Sequence, residues 1–332
     1  MIALRNLILN SWREISLLTV FLLPLSLLYW CIARIHRWVY SLGIKKQRKA
    51  VLPTIVVGNL SVGGSGKTPM VIHLVNLLKS YGFRPAVVSR GYKSKSHSAS
   101  FIVEPDTVAS IAGDEPSLIV RRTGVPVAVG SNRHNSIDLL KQRCDVIVCD
   151  DGLQHWPLNA DVRLCINDTG VSSNPFLLPA GPWREPQSRL ASMDIIVERG
   201  ADSDQQGSDY QMRYGMQLEP LEPINLLTQE KGFPFGQHVH AVAGIAQPER
   251  FFDTCLALGL SITKHALPDH HQFAADDLNF GDMPVLMTEK DAVKCIEFAK
   301  PNFWYLPVNA VLSDDFDKAV LDKLNQAIKQ RS

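Results

Sequence analysis

The chain has 332 residues, enough for about two domains and for a core that needs neither disulfides nor metal. An apolar fraction of 45% against a charged fraction of 20% excludes a disordered or fibrous protein. A net charge of +1 gives none of the basic excess of a nucleic-acid binder.

That sum hides an asymmetry. Within residues 1–50, Arg5, Arg13, Arg34, Arg37, Lys45, Lys46, Arg48 and Lys49 face a single acid, Glu14. The other 282 residues carry 26 basic and 32 acidic groups. A basic, apolar N-terminus ahead of a mildly acidic body suggests a membrane address. Leu17–Ala33 runs 17 residues without a charge, interrupted by Thr19, Pro24 and Ser26. Three arrangements fit: a short transmembrane helix, a helix lying in the interface with Trp12, Trp30 and Trp38 at headgroup depth, and a buried helix of the main domain. Membrane contact is favoured, and the Lys45–Lys49 cluster makes the following domain cytosolic. The segment after the run, Tyr29-Trp30-Cys31-Ile32, fits signal-peptide cleavage poorly.

From residue 51 short β-branched runs alternate with helical stretches, which predicts an α/β fold with a largely parallel sheet. The strands expected are Thr54–Val57, Ala86–Ser89, Val125–Val129, Val146–Asp150 and Arg163–Ile166, with helices at Thr68–Ser80 and Asn135–Arg143. A polar stretch, Gly200–Asp209, reads as a linker or exposed turn. A second α/β unit follows: Val239–Ala243, a helix from Pro248, Pro284–Met287, a helix after Thr288, Trp304–Pro307 and a last helix from Asp314. The expected division is therefore 1–50, 51–205 and 206–332. None of the six cysteines forms a C-x-x-C pair, and most sit in apolar runs, as small buried hydrophobes do.

The strongest local signal is the stretch Thr54–Pro69, where a strand meets a glycine-rich turn and then a helix start. Ser61, Val62, Gly63, Gly64, Ser65, Gly66, Lys67 and Thr68 form a candidate phosphate-binding loop. Glycines let backbone N–H groups converge on phosphate, and the helix N-terminus adds its positive dipole end. Lys67 would reach the outer phosphates and Thr68 would offer a hydroxyl to Mg²⁺. Ser61 stands where the usual pattern has its first glycine. The second signal is Val146-Ile147-Val148-Cys149-Asp150-Asp151, a buried strand ending in acids, where Asp150 or Asp151 would hold Mg²⁺.

Other polar clusters stand out: Ser89-Arg90-Gly91-Tyr92 ends a strand, Gly113-Asp114-Glu115-Pro116 opens a helix, Gly130-Ser131-Asn132-Arg133 follows another strand, and Gln154-His155 lie just past Asp150-Asp151. Loops beyond the carboxyl ends of parallel strands are where open sheets bind ligands. In the second unit Pro268-Asp269-His270-His271 and Thr288-Glu289-Lys290-Asp291 follow the same logic. There a histidine paired with a carboxylate would serve proton transfer.

Taken in order, these motifs resemble the tetraacyldisaccharide 4′-kinases, the lipid A 4′-kinases of Gram-negative bacteria. Leu178-Pro179-Ala180-Gly181-Pro182-Trp183-Arg184-Glu185 joins the same set, and the likeness covers nearly the whole chain. It implies a P-loop NTPase-like, mostly parallel sheet flanked by helices, a smaller second α/β domain and an N-terminal membrane-associating helix. It implies ATP, Mg²⁺, the glycolipid acceptor tetraacyldisaccharide 1-phosphate, transfer to its 4′-hydroxyl giving lipid IVA, and a place on the cytoplasmic face of the inner membrane. Asp114 becomes the catalytic base and His270 its partner, with His271 the adjacent alternative. Arg90, Glu115, Arg133, Gln154, His155 and Lys290 become supporting residues. The rival is a membrane-recruited P-loop ATPase switch. That class needs a lysine where Val62 stands, and the kinase reading prevails.

Overall fold

The computed structural model describes residues 11–12, 15–91, 99–168, 170, 174–201, 212–233, 236 and 238–331. Tyr92 and most of the expected linker, residues 202–209, lie outside them, as do residues 1–10 of the N-terminal segment.

The described residues form a long N-terminal helix, a short two-stranded pairing of Arg48–Lys49 with Leu158–Asn159, and two larger sheets. Helix α1 is Leu17–Ser41. Strands β1 (Thr54–Gly58), β2 (Pro85–Ser89), β3 (Phe101–Val103), β4 (Val127–Val129), β5 (Val146–Cys149), β6 (Val162–Asp168), β7 (Ile195–Arg199) and β8 (Met212–Pro220) belong to the larger sheet. The smaller sheet holds β9 (Ile224–Asn225), β10 (His238–Ala243), β11 (Ser261–Ala266), β12 (Val285–Thr288) and β13 (Phe303–Leu306). The chain then returns to the first sheet with β14 (Val308–Val311). Besides a single turn at Ala109–Ala112, the helices after α1 among the described residues are α2 (Lys67–Ser80), α3 (Asp114–Thr123), α4 (Arg133–Leu140), α5 (Pro248–Ala257), α6 (Glu289–Cys295) and α7 (Asp314–Lys329).

The large sheet has nine strands in the order β14-β8-β7-β6-β1-β5-β2-β4-β3. All its pairings are parallel except those of the two edge strands, β14 and β3. Its central strands β1, β2 and β5 are buried on both faces, so they read as continuous apolar runs rather than an alternation. Ile55, Val57, Val87 and Val148 face one core with α2, α3 and α7. Val56, Ala86, Val88 and Ile147 face a second core with Ile137 and Leu140 of α4. The five-stranded sheet, ordered β9-β13-β12-β10-β11, has its own cores.

Strand pairing moves the expected boundary near residue 205. β8, β14 and α7 complete the large sheet and its core, with Phe316, Val320 and Leu324 buried there. The second unit therefore comprises residues 224–306, inserted between β8 and β14 rather than appended. The expected strands and helices all occur, with ends shifted by a few residues; the pattern missed β3, β7, β8, β9, β11 and β14. Five of the six cysteines are buried and all six are free. Burial pushes the Cys165, Cys255 and Cys295 thiols up to about 12, which leaves them inert packing groups.

Helix α1 reverses the usual amphipathic order. Its buried residues are Thr19 and Ser26, while Leu17 and Phe21 are 82% and 79% exposed. The polar side docks on the protein: Ser26 Oγ donates to Leu177 O at 2.8 Å and Tyr29 Oη to Arg184 O at 2.9 Å. Farther along, Tyr40 stacks on Trp156. The helix thus lies along the ends of the strands that carry the polar motifs, with its apolar side turned outward.

Candidate active site

The site is built at the carboxyl ends of β1, β5 and β2, the central strands. β1 runs into the glycine-rich loop, and Gly66 caps α2 with φ of 88°, a left-handed conformation that favours glycine. The loop is braced from outside: Val62 N donates to Pro182 O at 2.8 Å, and Ser61 bridges to Trp183. Asn59 holds the inside. Its Nδ2 donates to Ser61 O at 2.8 Å, and its Oδ1 accepts from Lys67 Nζ at 3.0 Å. Thr68 is buried in the first turn of α2.

The two acids after β5 divide their partners. Asp151, at φ 47°, is held by Arg184 through bonds of 3.2 and 3.1 Å and lies 3.6 Å from Lys67 Nζ. Asp150 is fully buried; Ser89 Oγ donates to its Oδ2 at 3.1 Å, while its Oδ1 has no hydrogen-bond partner among the described residues. Burial, with the charges of Glu115 and Asp151, pushes the Asp150 carboxyl up to about 7. An open carboxylate oxygen in this acid-rich corner, near the Lys67 charge, would suit a divalent cation shared with a nucleotide. Among the described residues no group of three or more His, Cys, Asp or Glu is placed to hold a metal ion.

Across this corner α3 opens with Asp114 and Glu115. His270 Nδ1 lies 2.9 Å from Asp114 Oδ2, while His271 Nε2 turns to Asp277 at 2.9 Å. Lys290 Nζ donates to Glu115 Oε1 at 2.9 Å, and Lys294 Nζ lies 3.9 Å from Asp114 Oδ2. Burial alone would raise the Asp114 pKa. The His270 hydrogen bond and the Lys294 and Lys290 charges outweigh it and hold the carboxyl below its ordinary value. Asp114 is therefore an ionised acceptor, 7% exposed, at a helix N-terminus.

The remaining expected residues take different places. Arg133 is buried and turned inward, donating to Gly130 O at 2.8 Å and Asp150 O at 3.4 Å, so it braces strand ends. Gln154 Nε2 donates to Asn59 O and Glu185 Oε1 at 3.0 and 3.1 Å. Burial, with the nearby Arg133, His134 and Arg90 charges, lowers the His155 pKa to about 4, so its imidazole is neutral. Arg90 is exposed at the end of β2. Asn59 and the Arg184–Asp151 pair were not singled out from sequence. Asn59 adjoins the loop motif and Arg184 lies in a polar-tipped Pro-Gly stretch, but neither position carries a spacing signal of its own.

A glycine-rich loop feeding a helix from a central parallel strand, with acids of the next strand beside its lysine, defines a P-loop nucleotide-binding protein. The sequence model of the tetraacyldisaccharide-1-P 4′-kinase family matches residues 18–325. A tetraacyldisaccharide 4′-kinase of Actinobacillus succinogenes is 44% identical over 330 residues, 97% of this chain and 99% of the relative. One of Shewanella woodyi is 45% identical over 92% of this chain and 90% of its own. The crystal structure of an "apo" form of LpxK from Aquifex aeolicus in complex with ATP superposes with a TM-score of 0.78 at 28% identity, covering 93% of this chain and all of that one. The chain belongs to the tetraacyldisaccharide-1-phosphate 4′-kinase family.

Proposed function

We propose that the protein transfers the γ-phosphate of ATP to the 4′-hydroxyl of tetraacyldisaccharide 1-phosphate, forming lipid IVA, at the cytoplasmic face of the inner membrane. The observation that carries the reading is the Asp114–His270 contact set beside the phosphate-binding loop. A sugar hydroxyl is a weak nucleophile, so a carboxylate must accept its proton as the new bond to phosphorus forms. Asp114 stays ionised for that task. His270 orients it and shares the proton that it gains.

Lys67 and the loop N–H groups bind the β- and γ-phosphates, and Asn59 fixes the lysine. Thr68 and Asp150 would hold Mg²⁺, which supplies charge neutralisation between the outer phosphates. Arg184 and Lys67 keep Asp151 charged and in place. Arg90 gives the open side of the site a cation suited to a phosphorylated acceptor, and Lys290 keeps Glu115 charged beside the base.

Helix α1 supports the membrane reading. Leu17, Phe21, Leu25, Leu28 and Ile32 are exposed, and each is worth about 1.5–3 kcal/mol when taken out of water. The same helix touches the Arg184 backbone, one residue from the acid-rich corner, so an acceptor with acyl chains in the bilayer would present its sugar to the site.

The test is transfer of labelled γ-phosphate from ATP to the purified acceptor in mixed micelles with Mg²⁺, with Asp114→Ala alongside. Labelled lipid from wild type and nearly none from the variant is the expected result. Phosphate release that ignores the acceptor and survives the substitution would overturn the kinase reading in favour of an ATPase switch.

A further inference from the structure

Asp168, at the end of β6, is an acid the proposed reaction leaves unused. Its side chain is 2% exposed, yet it collects two arginines. Arg250 of α5 donates to both of its oxygens, at 2.8 and 3.2 Å, and Arg199 at the end of β7 lies 3.3 Å away. Gly170 N adds a bond of 3.2 Å. Arg199 also donates to Gly64 O of the phosphate-binding loop. Asp168 and Arg199 belong to the large sheet, whereas Arg250 comes from the inserted unit. The cluster therefore joins the two units at the loop.

The segment leading into α5 continues the connection. Gln247, just before Pro248, rests its Nε2 3.6 Å from where a Cβ on Gly63 would stand. Three residues earlier, Gly244 O accepts the backbone N–H of His270 at 3.1 Å. Gly244 N in turn donates at 2.8 Å to Asp291, a buried acid that also binds Lys294 at 2.6 Å. One short stretch, Gly244–Arg250, thus touches the catalytic histidine at one end and the phosphate-binding loop at the other. His270 has φ of 59°, a conformation a non-glycine residue keeps only where its surroundings enforce it.

We propose that Arg250 is a positioning residue for the transfer: by gripping Asp168 it seats the Gly244–Gln247 turn on the phosphate-binding loop and so holds His270 against Asp114. The proposal rests on the reading of Asp114 and His270 as base and partner. Arg199 stays with Asp168 when Arg250 is removed, so the buried carboxylate keeps a counter-charge and the fold survives. The inference predicts a loss in turnover rather than in nucleotide affinity, because Arg250 acts through the histidine.

The experiment compares steady-state phosphoryl transfer to the acceptor in mixed micelles by wild type, Arg250→Ala, Arg250→Lys, His270→Ala and the Arg250→Ala/His270→Ala double variant. Thermal melts serve as the folding check. Arg250→Ala is expected to lower kcat roughly 10- to 100-fold with KM for ATP within about twofold of wild type. Lysine should restore part of the loss, since one cation still meets Asp168. The double variant should fall no further than His270→Ala alone. A raised KM for ATP at unchanged kcat would make Arg250 a nucleotide contact and overturn the proposal, as would losses that multiply in the double variant. Wild-type kcat in His270→Ala would instead overturn the underlying reading of the dyad, so the two failures are separable.

Discussion

His270 Nδ1 and Asp114 Oδ2 meet at 2.9 Å although the residues are 156 positions apart and belong to different sheets' connections. The proposed base and its proposed partner are thus brought together only when the inserted unit packs on the large sheet. General acid–base catalysis of this kind contributes typically 10²- to 10⁴-fold. Asp114→Asn is expected to lower kcat by about that factor while leaving KM for ATP nearly unchanged, measured by initial-rate kinetics with varied ATP. Parallel losses in both parameters would remove Asp114 from the chemistry.

Asp150 makes a prediction about pH. A carboxyl whose folded pKa is raised binds its proton more tightly in the folded state, so its contribution favours folding at low pH. That contribution is lost as pH rises through about 7. In metal-free buffer Asp150→Asn should raise the melting temperature relative to wild type more at pH 8 than at pH 5. It should also abolish the stabilisation that Mg²⁺ with ATP gives the wild type. A pH-independent difference between the two proteins would mean that Asp150 carries no raised pKa.

Asn59 holds the Lys67 ammonium and the Ser61 carbonyl at once. Asn59→Ala leaves the lysine with Asp151 alone and frees the loop, and should reduce kcat/KM for ATP about tenfold, a loss of about 1.4 kcal/mol. Lys67→Ala should cost more, because it removes the charge itself rather than its orientation. Equal losses for the two variants would show that Asn59 does more than orient the lysine.

The exposed side of α1 is testable without touching the site. Phe21→Asp with Leu28→Asp removes two apolar side chains that face away from the protein. At about 1.5–3 kcal/mol each, their loss should lower binding to anionic phospholipid vesicles by at least tenfold in a sedimentation assay. The melting temperature should stay within a degree or two, since neither side chain packs on the body. A large drop in stability would mean that this face is covered by protein.

Much of this site was legible because its chemistry is local. The Gly63–Thr68 loop, the acids after Val146–Cys149 and the β-branched strands declare themselves within ten residues, through glycine freedom and hydrophobic run length. Membership of β8 and β14 in the first sheet was not legible. Their pairing, Leu218 with Ala310, is set by contacts across an intervening unit, and nothing within either strand encodes it. Arg133 shows what type alone cannot tell: a strand-end arginine suits phosphate, and in the fold it is buried with bonds to Gly130 O and Asp150 O. His270 and His271 share one sequence context, yet in the fold they meet different carboxylates, Asp114 and Asp277.

The return of the chain through β14 and α7 has a consequence for biosynthesis. The ribosome delivers roughly 5–20 residues per second, so the inserted unit emerges for several seconds while the large sheet still lacks an edge strand and a covering helix. The nascent chain can complete the small sheet first, but the face that will receive Phe316, Val320 and Leu324 stays open until translation reaches them. A premature stop just after Leu306 would therefore yield a finished small sheet attached to an uncovered apolar surface, a species bound for aggregation or proteolysis.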